Sequence, residues 1–339
     1  MKKAFYALAA VLLLAMGATT WLTWQAWDYL HTAPETPGRA VVLAIEPGST
    51  FDSVARDLES LGVIDDVDRF RLLGKWKKQL GAVKAGEFEL TTGMTPPQVL
   101  SAITSGKVIL HRLQVVEGLT WWQVGRVVEQ SGLAGYESFE AAVHDKELLA
   151  AHHIPADTAE GFLYPDTYSL PRPRGGDARP IVAAMLDTFW RHAAPAIWPS
   201  GRPEPKELMR IVTLASMVEK ETGAAEERGA IAGVFANRLK RRMRLQCDPT
   251  TIYGLGLAFD GNLKKTHLTD RSNPYNTYTH GGLPPGPICS PGLDALKAAA
   301  DPEGHNYLYF VATGDGRHHF SATLTEHNKA VRKYQLRRR

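Results

Sequence analysis

The chain has 339 residues, 44% apolar and 22% charged, with a formal net charge of +3. Such a length suggests two or three domains, and the composition is that of an ordinary globular protein able to bury cores, which excludes a disordered chain. The mild, scattered positive charge argues against nucleic acid as a partner. Basic residues concentrate only in Arg238-Leu-Lys-Arg-Arg-Met-Arg244 and in Arg337-Arg-Arg339. These read as a solvated helix face and a chain end, with attraction to anionic lipid or polymer as the alternative.

Lys2 and Lys3 precede an uncharged stretch from Ala4 to Trp27. As a helix rising about 1.5 Å per residue it spans roughly 36 Å, enough for a bilayer core. Positive charge before the span predicts a cytoplasmic N-terminus, a single pass through the inner (cytoplasmic) membrane and an exported, periplasmic remainder. Trp21, Trp24, Trp27 and Tyr29 cluster at the far end, where amphipathic rings favour the interface. A cleaved signal peptide is the rival reading, since Ala15-Met-Gly-Ala18 supplies small residues. The length of the span and its aromatic belt favour an uncleaved anchor over residues 1–30.

A short Pro-containing linker, His31 to Gly38, follows. Gly48-Ser-Thr50, Gly93-Met-Thr95 and Gly118-Leu-Thr120 then introduce one repeated pattern, with Val54 and Leu58, Val99 and Ile103, Val124 and Val128 at the next apolar positions. Thr is a natural N-cap and the four-residue spacing is helical, so each repeat predicts a short helix. A strand is expected before each, at Ala40–Ile45, Gly86–Leu90 and Ile109–Val116. Generic capped helices could share this pattern; small βα units of this kind also suit a LysM-like module.

From Ala134 to Pro155 the chain reads as helical. Glu160-Gly-Phe-Leu-Tyr-Pro-Asp-Thr-Tyr168 follows, either a packed turn or a segment whose tyrosines and Asp166 line a groove. A helix is expected from about Ile181 to Trp198, between the loops Pro171–Gly176 and Pro199–Pro205. A hairpin is expected from Asn306–Thr313 and His318–Ala322 around Gly314-Asp-Gly316, and a last helix over Thr325–Tyr334. The fold class is α+β.

Glu219 lies in the most apolar helix-like run of the exported part, Ile211 to Thr222. At about 100° per residue, Leu208, Ile211, Val212, Ala215, Val218, Glu219 and Thr222 share a stripe, and Glu221 faces elsewhere. Desolvation raises a carboxyl pKa and leaves a proton to donate near neutrality. The plainer reading is a carboxylate paired with an arginine such as Arg228 or Arg238. Downstream strings are dense in amides, hydroxyls and rings: Asn237-Arg-Leu, Leu245-Gln-Cys-Asp-Pro-Thr-Thr-Ile-Tyr253, Asn273-Pro-Tyr-Asn-Thr-Tyr278 and Gly282-Leu-Pro-Pro-Gly-Pro-Ile288. Such groups suit a sugar groove, where polar atoms bond ring hydroxyls and aromatic faces stack on the sugar.

In this order, and with Ala215–Thr222, Glu160–Tyr168 and Tyr307-Leu-Tyr-Phe-Val-Ala312, the strings resemble the endolytic murein transglycosylases, the YceG-like family of peptidoglycan lyases. The resemblance implies an N-terminal transmembrane helix, a LysM-like module with connecting helices over 39–158 and a mixed α+β catalytic domain over 159–339. It places the catalytic glutamate at Glu219 and, with polarity, suggests Gln246, Asp248, Thr250, Tyr253, Asn276 and Tyr278 as groove residues, with Glu221, Asn237, Arg238 and Tyr164 in support. The implied reaction is non-hydrolytic cleavage between N-acetylmuramic acid and N-acetylglucosamine within peptidoglycan strands. One glutamate serves as acid and then base, while the muramic C6 hydroxyl closes a 1,6-anhydro ring. A lysozyme-like hydrolase using Asp248 and a non-catalytic glycan-binding scaffold are the rivals. No cofactor or metal is expected: zinc, P-loop and serine-hydrolase motifs are missing, and the adjacent pairs His152-His153 and His318-His319 make poor chelates. Peptidoglycan, the membrane and possible cell-wall synthases are the expected partners. The two cysteines, Cys247 and Cys289, are expected to pair in an oxidising compartment, with two buried free thiols as the alternative.

Overall fold

The computed structural model describes residues 2–46 and 48–336, so the terminal arginines 337–339 lie outside the described residues. The chain divides into two compact units, with the break between His111 and Arg112. Each has its own apolar core.

The first unit opens with α1 (Lys2–His31), of which Leu8–His31 is long and apolar enough to cross a membrane. Then come β1 (Ala40–Ile45), α2 (Phe51–Ser60), α3 (Val67–Trp76), β2 (Gly86–Thr91) and α4 (Pro96–Ser105). The two strands run antiparallel, with Leu43 opposite Phe88 and Val41 opposite Leu90. Leu43, Ile45, Phe88 and Leu90 turn inward because alternate residues of a strand share a face. Val54, Leu58, Val99 and Ile103 meet them from α2 and α4.

Thr50, Thr95 and Thr120 all stand at helix N-caps. Thr50 accepts from Ser53 N–H at 3.1 Å, Thr95 N–H donates to Gln98 Oε1 at 2.9 Å, and Thr120 exchanges both bonds of a capping box with Gln123. The third repeat nevertheless belongs to a different core. Its strand β3 (His111–Val115) pairs with β4 (Asp166–Leu170), and its helix α5 (Trp121–Gln130) buries Val124 and Val128 among residues of the second unit. A shared local pattern directs a cap and an apolar stripe; it does not select the core that the stripe joins.

The second unit continues with α6 (Tyr136–Val143), α7 (Lys146–Ala151), α8 (Arg179–Thr188), a π-helical turn and α9 (Ala194–Ile197). Its centre is α10 (Pro205–Glu221), which starts with Pro205 in its first turn and buries every residue from Ile211 to Val218. Only Thr213 and Ser216 are polar in that run and both are buried, so the helix is packed all round. Around it and beyond lie α11 (Arg228–Lys240), α12 (Asp248–Leu255), α13 (Lys265–Thr269), α14 (Leu293–Ala300), the hairpin β5 (Tyr309–Ala312) and β6 (His318–Ser321), and α15 (Leu324–Val331).

Gly74 shows how tightly the first unit packs. A Cβ there would lie 2.6 Å from the Phe51 ring and 2.9 Å from Leu80. Gly74→Val is therefore expected to destabilise the chain by about 1–3 kcal/mol through overpacking. Denaturant unfolding checks this as a lower midpoint at unchanged slope.

Candidate active site

Glu219 and Glu221 both belong to the last turn of α10, where unpaired carbonyls carry partial negative charge and disfavour a carboxylate. Two positions apart on a helix is roughly 200° around it, so the two side chains leave α10 on opposite sides. Their surroundings differ accordingly.

Glu219 points toward the start of α14. Its Oε2 accepts from Gly292 N–H at 3.0 Å, and its Oε1 lies 3.7 Å from Arg228. The plainer sequence reading, a carboxylate paired with Arg228, is thus present. Arg228 also approaches Glu117 at 3.8 Å and Asp294 at 3.9 Å, so it gathers three carboxylates from three segments. A Cβ at Gly292 would meet the Glu117 carboxylate, so any side chain there would have to displace it. Burial and the Glu117 charge push the Glu219 pKa up, against the Gly292 bond and Arg228. Glu219 also borders a cleft of about 550 Å³ with Gln114, Glu117, Asp166 and Thr167.

Glu221 points the other way, into a cavity of about 580 Å³ that it lines with Gln246, Asp248, Tyr278, Arg238, Tyr309 and His318. Burial raises its pKa, and the nearby Asp248 charge raises it further. A hydrogen bond from the Cys247 thiol, together with His318 and Arg238, opposes the rise. Tyr278 Oη donates to Asp248 Oδ1 at 2.6 Å. Arg238 is almost buried: its Nε donates to Leu308 O at 2.6 Å, one Nη to Leu245 O at 2.8 Å, and its guanidinium lies over the Tyr309 ring. Gln246 adopts φ = +50°, a left-handed conformation that costs a non-glycine residue about 1–3 kcal/mol and persists only where surroundings impose it. Its N–H donates to Thr277 O at 3.2 Å, and Arg238 reaches its Oε1 at 3.4 Å.

The other residues singled out from the sequence are not in this cavity. Asn276 is fully buried: its amide nitrogen donates to the carbonyls of His267, Leu268 and Asp270, and its Oδ1 accepts from Thr251 Oγ1 and Tyr278 N–H. With its bonding capacity spent, it shapes the loop that presents Tyr278. Thr250 is buried against Cys247 O and Thr277 Oγ1. Tyr253 packs between Trp122 and Tyr275, at ring distances of 5.0 and 4.8 Å. Asn237 holds His305 O and Tyr307 O at 2.8 and 3.1 Å. Tyr164 is buried, and its carbonyl accepts from Tyr168 Oη.

The expected pairing of Cys247 and Cys289 is corrected: both are free, buried thiols. They serve different neighbours: Cys247 lies beside Glu221, whose pKa it lowers, and Cys289 donates to Ser216 O at 3.3 Å.

Two residues escaped the sequence reading. His318 enters the cavity from β6 while His319 is exposed, by strand alternation. Glu227 holds His318 through its backbone N–H at 2.8 Å and its Nδ1 at 2.7 Å. Nothing in a His-His pair signals this, since Glu227 is remote in sequence. Glu160 is wholly buried and accepts from Trp121 N–H at 3.1 Å and Gly161 N–H at 3.3 Å. Burial pushes its pKa up to about 8.

The profile of the YceG-like family matches residues 43–333. The chain belongs to the YceG-like family. It is 32% identical to an endolytic murein transglycosylase of Bacillus subtilis, over 87% of this chain and 84% of that protein. An endolytic murein transglycosylase of Streptococcus pneumoniae is 28% identical over 97% of this chain, which spans 65% of that longer protein. A crystal structure of a YceG-like protein from Listeria monocytogenes superposes with a TM-score of 0.53 at 31% identity, over 86% of this chain and 99% of that one.

Glu160 has a testable consequence. Between the ordinary 4.5 and about 8 the folded chain keeps a proton that the unfolded chain releases, so this group's contribution to stability falls as pH rises through that window. Glu160→Gln is expected to remove the slope. Unfolding free energies of parent and variant, measured from pH 4 upward, should show a difference that changes only across that range.

Proposed function

We propose that this chain is a membrane-anchored lytic transglycosylase that cleaves the β-1,4 bond between N-acetylmuramic acid and N-acetylglucosamine within peptidoglycan strands, with Glu221 as the acid. What carries the assignment is the setting of Glu221: a desolvated carboxyl at the end of the central helix, opening into a cavity with Gln246, Asp248 and Tyr278. Three groove residues expected from the sequence accompany Glu221 there, whereas Glu219 is engaged with Gly292 at the start of α14 and with Arg228. Names of the relatives, endolytic murein transglycosylases, supply the reaction class.

Burial and Asp248 raise the Glu221 pKa and so favour the protonated form, which donates to the leaving glycosidic oxygen. Once charged, the carboxylate is stabilised by the Cys247 thiol, His318 and Arg238, and it then takes the proton from the muramic C6 hydroxyl as that oxygen closes the 1,6-anhydro ring. An internal nucleophile gains from proximity and removes the need for a second carboxylate to activate water. Gln246 and Tyr278 are the polar contacts for the sugar. In the first unit, the strand–helix–helix–strand order with antiparallel strands supports the LysM-like reading. The apolar α1 supports a single-pass anchor with a cytoplasmic N-terminus and a periplasmic enzyme.

A hydrolase is the second reading, because Asp248 supplies a second carboxylate beside Glu221. Mass spectrometry of products from purified peptidoglycan separates the two: anhydro ends are lighter by one water than reducing ends. Glu221→Gln is expected to lower release of anhydromuropeptides by about 100- to 10,000-fold with the fold intact. Glu219→Gln, whose amide oxygen can still accept from Gly292, should lose far less. The opposite order of effects would move the acid to Glu219.

Cys247→Ser adds a finer check. A hydroxyl is a stronger donor than a thiol to the ionised carboxylate, so it should lower the Glu221 pKa. The alkaline limb of the pH–rate profile is then expected to move to lower pH, since activity requires the protonated acid.

A further inference from the structure

We infer that the C-terminal end of α3 is a second membrane contact, inserting Leu72 and Trp76 into the outer-face lipid interface beside α1. The inference rests on the anchor reading of α1 and goes beyond it by assigning a lipid-binding surface to the folded module.

Helix α3 has two apolar faces. Phe70 and Leu73 are buried in the core, with Gly74 pressed against Phe51. Leu72 and Trp76, four residues apart and roughly 40° from each other around the helix, are 67% and 68% exposed. Two large apolar side chains presented together at a helix end have no reason to face water.

Their neighbours identify what covers them. A groove of about 560 Å³ runs between α3 and α1, and Leu72 and Trp76 share its walls with Leu22, Ala26 and Tyr29. Arg69 fixes the two helices together, donating to Gln25 Oε1 at 3.3 Å and lying over the Tyr29 ring. Trp76 therefore shares a groove with the Leu22–Leu30 stretch of α1, the stretch that carries Trp24 and Trp27, rings of the kind that mark the interface of a span. A bilayer that receives that stretch of α1 has Trp76 beside it.

Charge agrees with a lipid occupant. Lys75, Lys77 and Lys78 are exposed around the apolar pair, and Lys77 Nζ lies 4.8 Å from the centre of the Trp76 ring. An aromatic and aliphatic wedge surrounded by ammonium groups suits an interface with anionic headgroups, each lysine drawn to the phosphates while its stem covers apolar surface.

The experiment uses the full chain in vesicles of phosphatidylethanolamine and phosphatidylglycerol. Spin labels are placed singly at Leu72→Cys, Trp76→Cys and, within α1, Leu13→Cys, with the parent chain reporting any labelling of its buried thiols. Collision with oxygen and with a water-soluble nickel chelate gives the depth of each label. Labels at 72 and 76 are expected to favour oxygen several-fold relative to free label in buffer, at interfacial depth. The label at 13 should lie deeper. If 13 is deep while 72 and 76 are as nickel-accessible as free label, the inference fails and the anchor stands; a shallow 13 overturns the anchor itself. Labels at 72 and 76 shielded from both agents would show a protein, such as a second copy, covering this face instead of lipid, and would also overturn the inference. Replacing phosphatidylglycerol with phosphatidylcholine is expected to leave 13 unchanged and to make 72 and 76 shallower; unchanged depth there would remove the lysines from the contact.

Discussion

The second unit depends on one buried helix. Because α10 is largely apolar and buried on every side from Ile211 to Val218, it is enclosed by α11, α14 and the loops after α11, and these are the segments that carry polar side chains. Enclosure has a consequence at its end. Two carboxyl groups leave the last turn into partly dry surroundings, beside the negative pole of the helix, and both are shifted toward their protonated forms.

What distinguishes the two carboxyl groups is the set of donors each meets. Glu219 is met by a backbone N–H at the start of α14 and by an arginine that also holds Glu117 and Asp294, so it ties α10 to neighbouring segments. Glu221 is met by a thiol, an almost buried arginine and a histidine around open volume. A carboxyl engaged mainly by structural partners has little freedom to exchange a proton with a ligand. One held between desolvation and weakly opposing charges can reach both states, which is the property acid and then base catalysis requires.

The cavity is held in shape by side chains both around it and within it. Asn276 spends its amide on three carbonyls, which fixes the turn before Tyr278. Glu227 grips His318 by backbone and ring together, and Arg238 joins the segments around Leu245 and Leu308. Polar residues in these strings thus divide between those that line the cavity and those that scaffold it. Residue type alone does not separate them, because an amide that bonds a sugar and an amide that bonds a carbonyl have the same chemistry.

Local physics was legible in the chain itself. The span of α1, the threonine caps of α2, α4 and α5, the strand before each, the hairpin near the end and the buried course of α10 follow from charge, periodicity and capping, which act over a few residues. The family was legible as well, from the order of its strings. Tertiary structure decided what depends on residues far apart in sequence: that the third βα repeat joins the second core, that Cys247 and Cys289 serve separate partners, and that Asn276 and Thr250 are buried. It also decided which glutamate opens into the cavity. Helical spacing states that Glu219 and Glu221 diverge, but only the packing of remote segments, Gly292 on one side and Cys247 to Asp248 on the other, determines what each one meets.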